Sequence, residues 1–311
     1  TAANLALRYV REWLGVMVCG DIVELIPGDD GQPRFLLPEA HGDLLARRSG
    51  NDNLGVYTQE IPLLTASAME PVLKGFFSGE GVSYAHYPEF HDFMAQLGDA
   101  KHRQVLVDVF LPSVDDGRLV RALQRGIDVC DLGCAQGVAT IIMAQAFPAS
   151  RFTGIDISAE ALDAARSDAR EQGLDNIHFE RRDAAELRRP NALSGRFDYI
   201  TAFDAIHDQT RPLEALQGVV ELLKDDGAFS MIDIAAESEI EGNRDHPMGA
   251  FLYTVSLMHC MPVGLLDGGA GLGMMWGRQL AERMLRQAGF SRVAVAPIPN
   301  DSFNLHFFCR K

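Results

Sequence analysis

Two groups of residues in this chain have the types and spacing that chemistry needs. The first is Asp131-Leu-Gly133-Cys-Ala-Gln-Gly137, where an apolar run enters a glycine turn. Glycines at such a turn let a ligand approach the backbone where a side chain would block it. Asp156 follows twenty-three residues after Gly133, in Gly154-Ile-Asp156-Ile157-Ser158, where a carboxylate can accept two ribose hydroxyl hydrogens. Asp183, with Ala184 beside it, is placed to reach an adenine amino group, and Asp204 ends a further apolar segment. The second group is His207-Asp208, followed fifty-two residues later by His259 in the otherwise apolar Ser256-Leu-Met-His259-Cys260-Met-Pro. Two histidines and a carboxylate that converge hold a divalent metal on one face and leave positions open for substrate. Without a metal, His207 is the candidate general base, oriented by Asp208, and His259 a positioning or core residue.

These residues must be carried by particular elements. From residue 126 onward, strand and helix patterns alternate. Strands are expected at Ile127–Leu132, Arg151–Asp156, Ile177–Arg181, Tyr199–Phe203, Ala228–Asp233, Val293–Pro297 and Leu305–Cys309. Helices are expected at Ala139–Ala146, Ala159–Gln172, Leu213–Leu223 and Gly277–Ala288. Such alternation specifies an α/β fold with a doubly wound sheet, and it puts the chemistry-bearing residues at strand carboxyl ends, where open sheets bind ligands. No helix separates the last two strands, so they should form an antiparallel hairpin. The tract Gly268-Gly-Ala-Gly-Leu-Gly273 follows no expected strand and reads as a flexible active-site loop leading to Trp276.

The preceding residues differ in texture. Residues 61–125 read as a helical linker and pocket cap, with aromatics at Phe76, Phe77, Tyr84, Tyr87, Phe90 and Phe93. Residues 1–60 show a helical pattern through Leu5, Val10, Trp13 and Met17, then a Gly20–Asp21 break. Short strands at Ile22–Ile26 and Phe35–Leu37 flank a turn, as in a winged-helix module. That turn is acidic, and the stretch carries five Arg against nine Asp and Glu, whereas a DNA-reading wing would be basic. The module therefore reads as a dimerisation element, and its opening in mid-helix suggests that it is N-terminally incomplete.

Composition bounds the alternatives. Over 311 residues, 47% are hydrophobic and 23% charged, which fits a folded chain with a core rather than a disordered one. No apolar run approaches the roughly 18–20 residues of a membrane span. A net charge of −15 argues against a nucleic-acid partner. Five scattered cysteines without a CxxC pair read as reduced thiols of a cytoplasmic protein.

The acidic and glycine signals resemble those of class I S-adenosylmethionine-dependent methyltransferases across residues 126–311. That resemblance implies a seven-stranded Rossmann-like sheet with an antiparallel end. It also implies that Asp131, Gly133 and Gly137 frame the methionine part of the cofactor, Asp156 and Ile157 the ribose side, and Asp183 with Ala184 the adenine, with Asp204 above the same sheet edge. Ala135 stands where the family often has a third glycine. The GxGxxG spacing of a nicotinamide-binding domain is absent. The His207-Asp208 pair with His259, behind a winged-helix module, is similar to metal-dependent 2-oxo acid C-methyltransferases. By that likeness His207, Asp208 and His259 would ligate iron or zinc, and a 2-oxo acid would be methylated at C3. Plant-type O-methyltransferases share the layout, which keeps open a small-molecule O-methyltransferase with His207 as base. A ligand-sensing regulator on a degenerate methyltransferase fold is the remaining alternative. Either enzyme would be a homodimer acting on a small molecule.

Overall fold

The computed structural model describes residues 5–28, 30–46, 54–87, 93–94, 102–103 and 105–311. Phe90 and several neighbours within the expected pocket cap lie outside the described residues. The chain divides into two compact units, Thr1–Thr58 and Gln59–Lys311.

In the first unit, α1 (Leu7–Cys19) leads into an antiparallel pair, β1 (Glu24–Pro27) and β2 (Pro33–Leu36), followed by α2 (Glu39–Leu45). This is the helix and two-stranded wing expected from sequence, with strand limits moved by one or two residues. None of the described residues of α1 is buried. Leu5, Tyr9, Trp13 and Val16 are 56–81% exposed. Tyr9, Trp13 and Val16, spaced by four and three residues, lie on one stripe of α1, and Leu5 precedes the helix.

The second unit holds a seven-stranded sheet ordered β5-β4-β3-β6-β7-β9-β8. Its strands are β3 (Asp128–Leu132), β4 (Arg151–Asp156), β5 (Ile177–Arg181), β6 (Phe197–Phe203), β7 (Leu223–Ile234), β8 (Arg292–Ile298) and β9 (Asp301–Arg310). The first five run parallel, and β9 pairs antiparallel with both β7 and β8. The flanking helices are α3 (Glu60–Ser78), α4 (Arg118–Arg125), α5 (Val138–Ala146), α6 (Ala159–Glu171), α7 (Pro212–Leu222), α8 (Gly249–Val255) and α9 (Arg278–Ala288).

Alternate residues of the central strands feed two cores, as a sheet covered on both faces requires. Cys130, Leu132, Ile200, Ala202, Phe229 and Met231 pack with Leu216 and Val219 of α7 and Leu285 of α9. Val129, Tyr199, Ala228 and Ile232 instead join Ile142 and Met143 of α5, Leu123 of α4, and Phe110. Each such fully buried large side chain contributes about 1.5–3 kcal/mol. Among the described residues, no helix is long and apolar enough to cross a membrane.

The glycine tract is tied to its neighbours by backbone hydrogen bonds. Ala270 donates its N–H to the Thr210 carbonyl at 2.9 Å and Gly271 to the Gly264 carbonyl at 3.0 Å. The tract is thus strapped to the turn after β6 and to the helix end at Gly264. Trp276, to which the tract leads, is 4% exposed and part of the core beside α9.

Candidate active site

The turn after β3 is built by geometry that sequence spacing anticipated. Gly133 and Cys134 donate to the Ile155 carbonyl at 2.8 and 3.1 Å, tying the turn to the end of β4. Both Gly133 and Gly137 have φ of +73°. A Cβ on Gly133 would stand 2.5 Å from the Ala205 Cβ, and one on Gly137 2.7 Å from the Phe179 ring. Ala135 takes φ of +47°, a left-handed conformation that an alanine holds only under strain.

Asp156 closes the turn. Its Oδ2 accepts the Ala135 N–H at 2.9 Å and its Oδ1 the Ser158 N–H at 2.8 Å. One lone pair on each oxygen is left over from these bonds, which is what a pair of ribose hydroxyls would use. The neighbouring Ile157 is 56% exposed, an apolar surface beside that carboxylate. Asp183 accepts the Ala185 N–H at 2.9 Å and an Arg211 N–H at 2.7 Å, while Ala184 is buried. Asp204, with φ of +48°, accepts a hydrogen bond from Asn304 of β9.

Asp131 lies buried beneath the turn. It is 2% exposed, and its oxygens accept the hydroxyls of Thr140 at 2.6 Å and Thr201 at 2.9 Å. Burial pushes its carboxyl up to about 6 against the pull of those two bonds. Asp131 therefore joins β3 to α5 and β6 beneath the turn, holding the turn rather than presenting a free carboxylate.

The second group sits in the turn after β6. His207 is 2% exposed, and its Nδ1 bonds Asp233 Oδ1 at 2.8 Å. Its Nε2 lies 3.5 Å from Asp208 Oδ1. Burial alone would lower its pKa, but the Asp233 and Asp208 carboxylates outweigh it and hold the imidazole well above its ordinary range. Asp208 Oδ2 accepts the Tyr84 hydroxyl at 3.2 Å, across 124 residues of chain.

His259 and Cys260 lie in a π-helical turn, Ser256–Cys260, between α8 and the short helix Met261–Gly264. Such turns insert an extra residue and are frequent at functional sites. Here Met258, His259 and Cys260 are all buried. The metal set expected from sequence, His207, Asp208 and His259, is not the set whose donor atoms meet. Among the described residues the converging group is His207, Asp208 and Cys260, with all three donor atoms within 4.8 Å of one another. His259 packs edge-on against Tyr87 and Tyr84, with ring centroids 4.8 and 5.5 Å away, and its Nδ1 is 3.5 Å from Cys260 Sγ. Two arginines of the second unit are paired, Arg211 with Asp183 and Glu186 and Arg278 with Glu282.

Sequence reasoning missed Asp233 and the role of Cys260. Asp233 did leave a trace, as the one charged residue in the apolar run Phe229–Ile234. Cys260 left none, because only the π turn brings a residue adjacent to His259 to face His207.

Comparison with known proteins extends this geometry. Residues 123–261 match the family model of a methyltransferase domain, and residues 1–47 that of an Rv2258c-like winged HTH domain. A ubiquinone biosynthesis O-methyltransferase of Haemophilus ducreyi is 33% identical over 111 residues, 35% of this chain and 46% of that protein. An uncharacterised methyltransferase of Bacillus subtilis is 28% identical over 127 residues, 40% of this chain and 48% of that protein. The chain thus spans about half the length of the curated relatives it matches. In fold, it is similar to an O-methyltransferase family protein from Burkholderia thailandensis at TM-score 0.69 and 16% identity, covering 100% of this chain and 86% of that one. Human N-acetylserotonin methyltransferase in complex with S-adenosylmethionine superposes at TM-score 0.69 and 14% identity, over 99% and 84% of the two chains. The glycine turn and the Asp156 carboxylate both lie within the segment that matches a methyltransferase domain, and that segment follows one that matches a winged HTH domain.

Proposed function

We propose that the protein methylates a hydroxyl group of a small, largely apolar molecule, with His207 as general base. The observation that carries this reading is the His207–Asp233 hydrogen bond of 2.8 Å. It commits Nδ1 to Asp233 and leaves Nε2 as the basic nitrogen. Asp156 and the turn at Gly133–Gly137 fit a nucleoside, with spare lone pairs on Asp156 and close backbone approach at the glycines. Bound S-adenosylmethionine supplies an electrophilic methyl group on a sulfonium that leaves as a neutral thioether. His207 Nε2 takes the hydroxyl proton as the acceptor oxygen forms its bond to carbon, and Asp233 and Asp208 stabilise the imidazolium. That proton then passes to solvent. Tyr84, Tyr87 and Met258, the apolar and aromatic groups around this turn, favour an aromatic or aliphatic acceptor over a charged one.

C-methylation of a 2-oxo acid is the competing reading. The Haemophilus ducreyi relative, by its name an O-methyltransferase, supports the hydroxyl reading instead. The test is mass-spectrometric detection of methylated products from a panel of phenols and alcohols with S-adenosylmethionine. We expect methyl ethers, and a fall of about 10²-fold or more in His207→Gln. An undiminished rate in that variant, or methyl found on carbon, would overturn the reading. We further propose that the first unit pairs two copies of the chain, an idea supported by the exposed stripe Tyr9, Trp13 and Val16 of α1.

A further inference from the structure

We infer that His207, Asp208 and Cys260 form a binding site for a thiophilic divalent cation, zinc by its chemistry, and that filling it silences the base. Four features point to this. The three donor atoms lie within 4.8 Å of one another on two segments that are fifty-two residues apart in sequence. His207 Nε2 and Asp208 Oδ1 are 3.5 Å apart. Two such ligands at about 2.0–2.1 Å from a tetrahedral zinc would stand roughly 3.4 Å apart. Asp208 Oδ1 is buried and accepts no hydrogen bond from the described residues, while Tyr84 holds Oδ2, so the other oxygen is left for a cation. Finally, Asp233 bonds the distal nitrogen of His207, the carboxylate–histidine arrangement that orients metal-ligating histidines.

The donor set also selects the ion. One thiolate, one imidazole and one carboxylate suit zinc or cobalt(II) and give magnesium or calcium no oxygen cage. Three protein ligands leave the fourth position open. On binding, the Cys260 thiol proton and any proton on His207 Nε2 leave to solvent as bonds to the ion form, with no change of oxidation state. The consequence for turnover rests on the reading of His207 as base, because one lone pair on Nε2 cannot hold both a substrate proton and a cation.

The test uses full-length, chelator-treated protein in a Cys19→Ser background, since Cys19 is the exposed thiol. Added cobalt(II) should give a thiolate-to-cobalt charge-transfer band. Cys260→Ser should lose the band, and Asp208→Asn should weaken cobalt binding by at least 10-fold with the band's energy kept. Asp233→Asn should weaken it about 10- to 100-fold. His259→Ala should keep the band, which separates this site from the set read in the sequence. No band in the parent protein, or a band that survives Cys260→Ser, would overturn the site. Circular dichroism of each variant separates loss of a ligand from loss of fold. Zinc should reduce methyl transfer in proportion to occupancy, and an unchanged or raised rate would overturn the silencing. Because cobalt binding is read without turnover, a protein that binds cobalt but methylates no hydroxyl would refute the base reading alone.

Discussion

Asp233 sets the working range of His207. A base must be neutral to accept a proton, and the two carboxylates raise the pKa of His207 above its ordinary 6.5. Turnover should therefore rise with pH through that raised value, on the alkaline side of an ordinary histidine. Asp233→Asn removes the larger of the two charge effects and frees the ring to rotate. The pH–rate limb should move to lower pH while kcat falls by roughly 10²-fold or more. A fall in kcat with the limb unmoved would show that Asp233 acts on the fold and not on the imidazole. The same pairing has a stability sign. Its folded-state pKa is raised, so its contribution is complete below about 6.5 and is lost as pH rises through the folded value. His207 and Asp208 were legible from sequence because their types and adjacency advertise proton or metal chemistry. Asp233 was not, because its part depends on how β7 aligns with β6, where Phe203 pairs with Ile232 and sets the next residue beside the turn.

At the scale of elements, two short irregularities control the site. The turn after β3 combines close approach with positive φ, so Gly133→Ala puts a Cβ against Ala205 and strains the backbone at once. We expect a loss of about 1–3 kcal/mol in stability and a large fall in affinity for S-adenosylmethionine, read by thermal unfolding and calorimetry. Ala135→Gly tests the opposite sign. Relief of the left-handed strain, about 1–2 kcal/mol, is offset by about 0.4–1 kcal/mol of added chain entropy. The variant should be slightly stabilised and should bind the cofactor unimpaired, and a drop in melting temperature would contradict this. Parallel strands were found almost residue for residue, since their buried apolar runs end sharply at charged residues. The ends of β7 were hidden, because Lys224-Asp225-Asp226-Gly227 interrupts the apolar pattern although Leu223 already pairs with Phe197. The π turn at Ser256–Cys260 was invisible for a related reason. Hydrophobic periodicity distinguishes helix from strand, but one inserted residue in a uniformly apolar helix leaves no mark.

For the molecule as a whole, the first unit is where association should be tested. Trp13→Glu places a charge in the exposed stripe of α1 and should convert a dimer to monomers in sedimentation, without lowering the melting transition of the Gln59–Lys311 unit. A variant that sediments as the parent does would locate any association elsewhere. The second unit carries a different constraint, in the placing of β9. This strand lies between β7 and β8, and from it Asn304 reaches Asp204 at the edge of the site. During synthesis, β7 must wait about seventy residues for the neighbour that covers its edge, and β8 emerges before it with nothing in the sheet to pair against. The ribosome thus delivers the cofactor turn, the base and its orienting carboxylate well before the strand that closes the sheet. Until residues 301–310 have emerged, the nascent chain carries an open apolar strand edge, and a ribosome stalled upstream of them would release a chain prone to aggregate through β7.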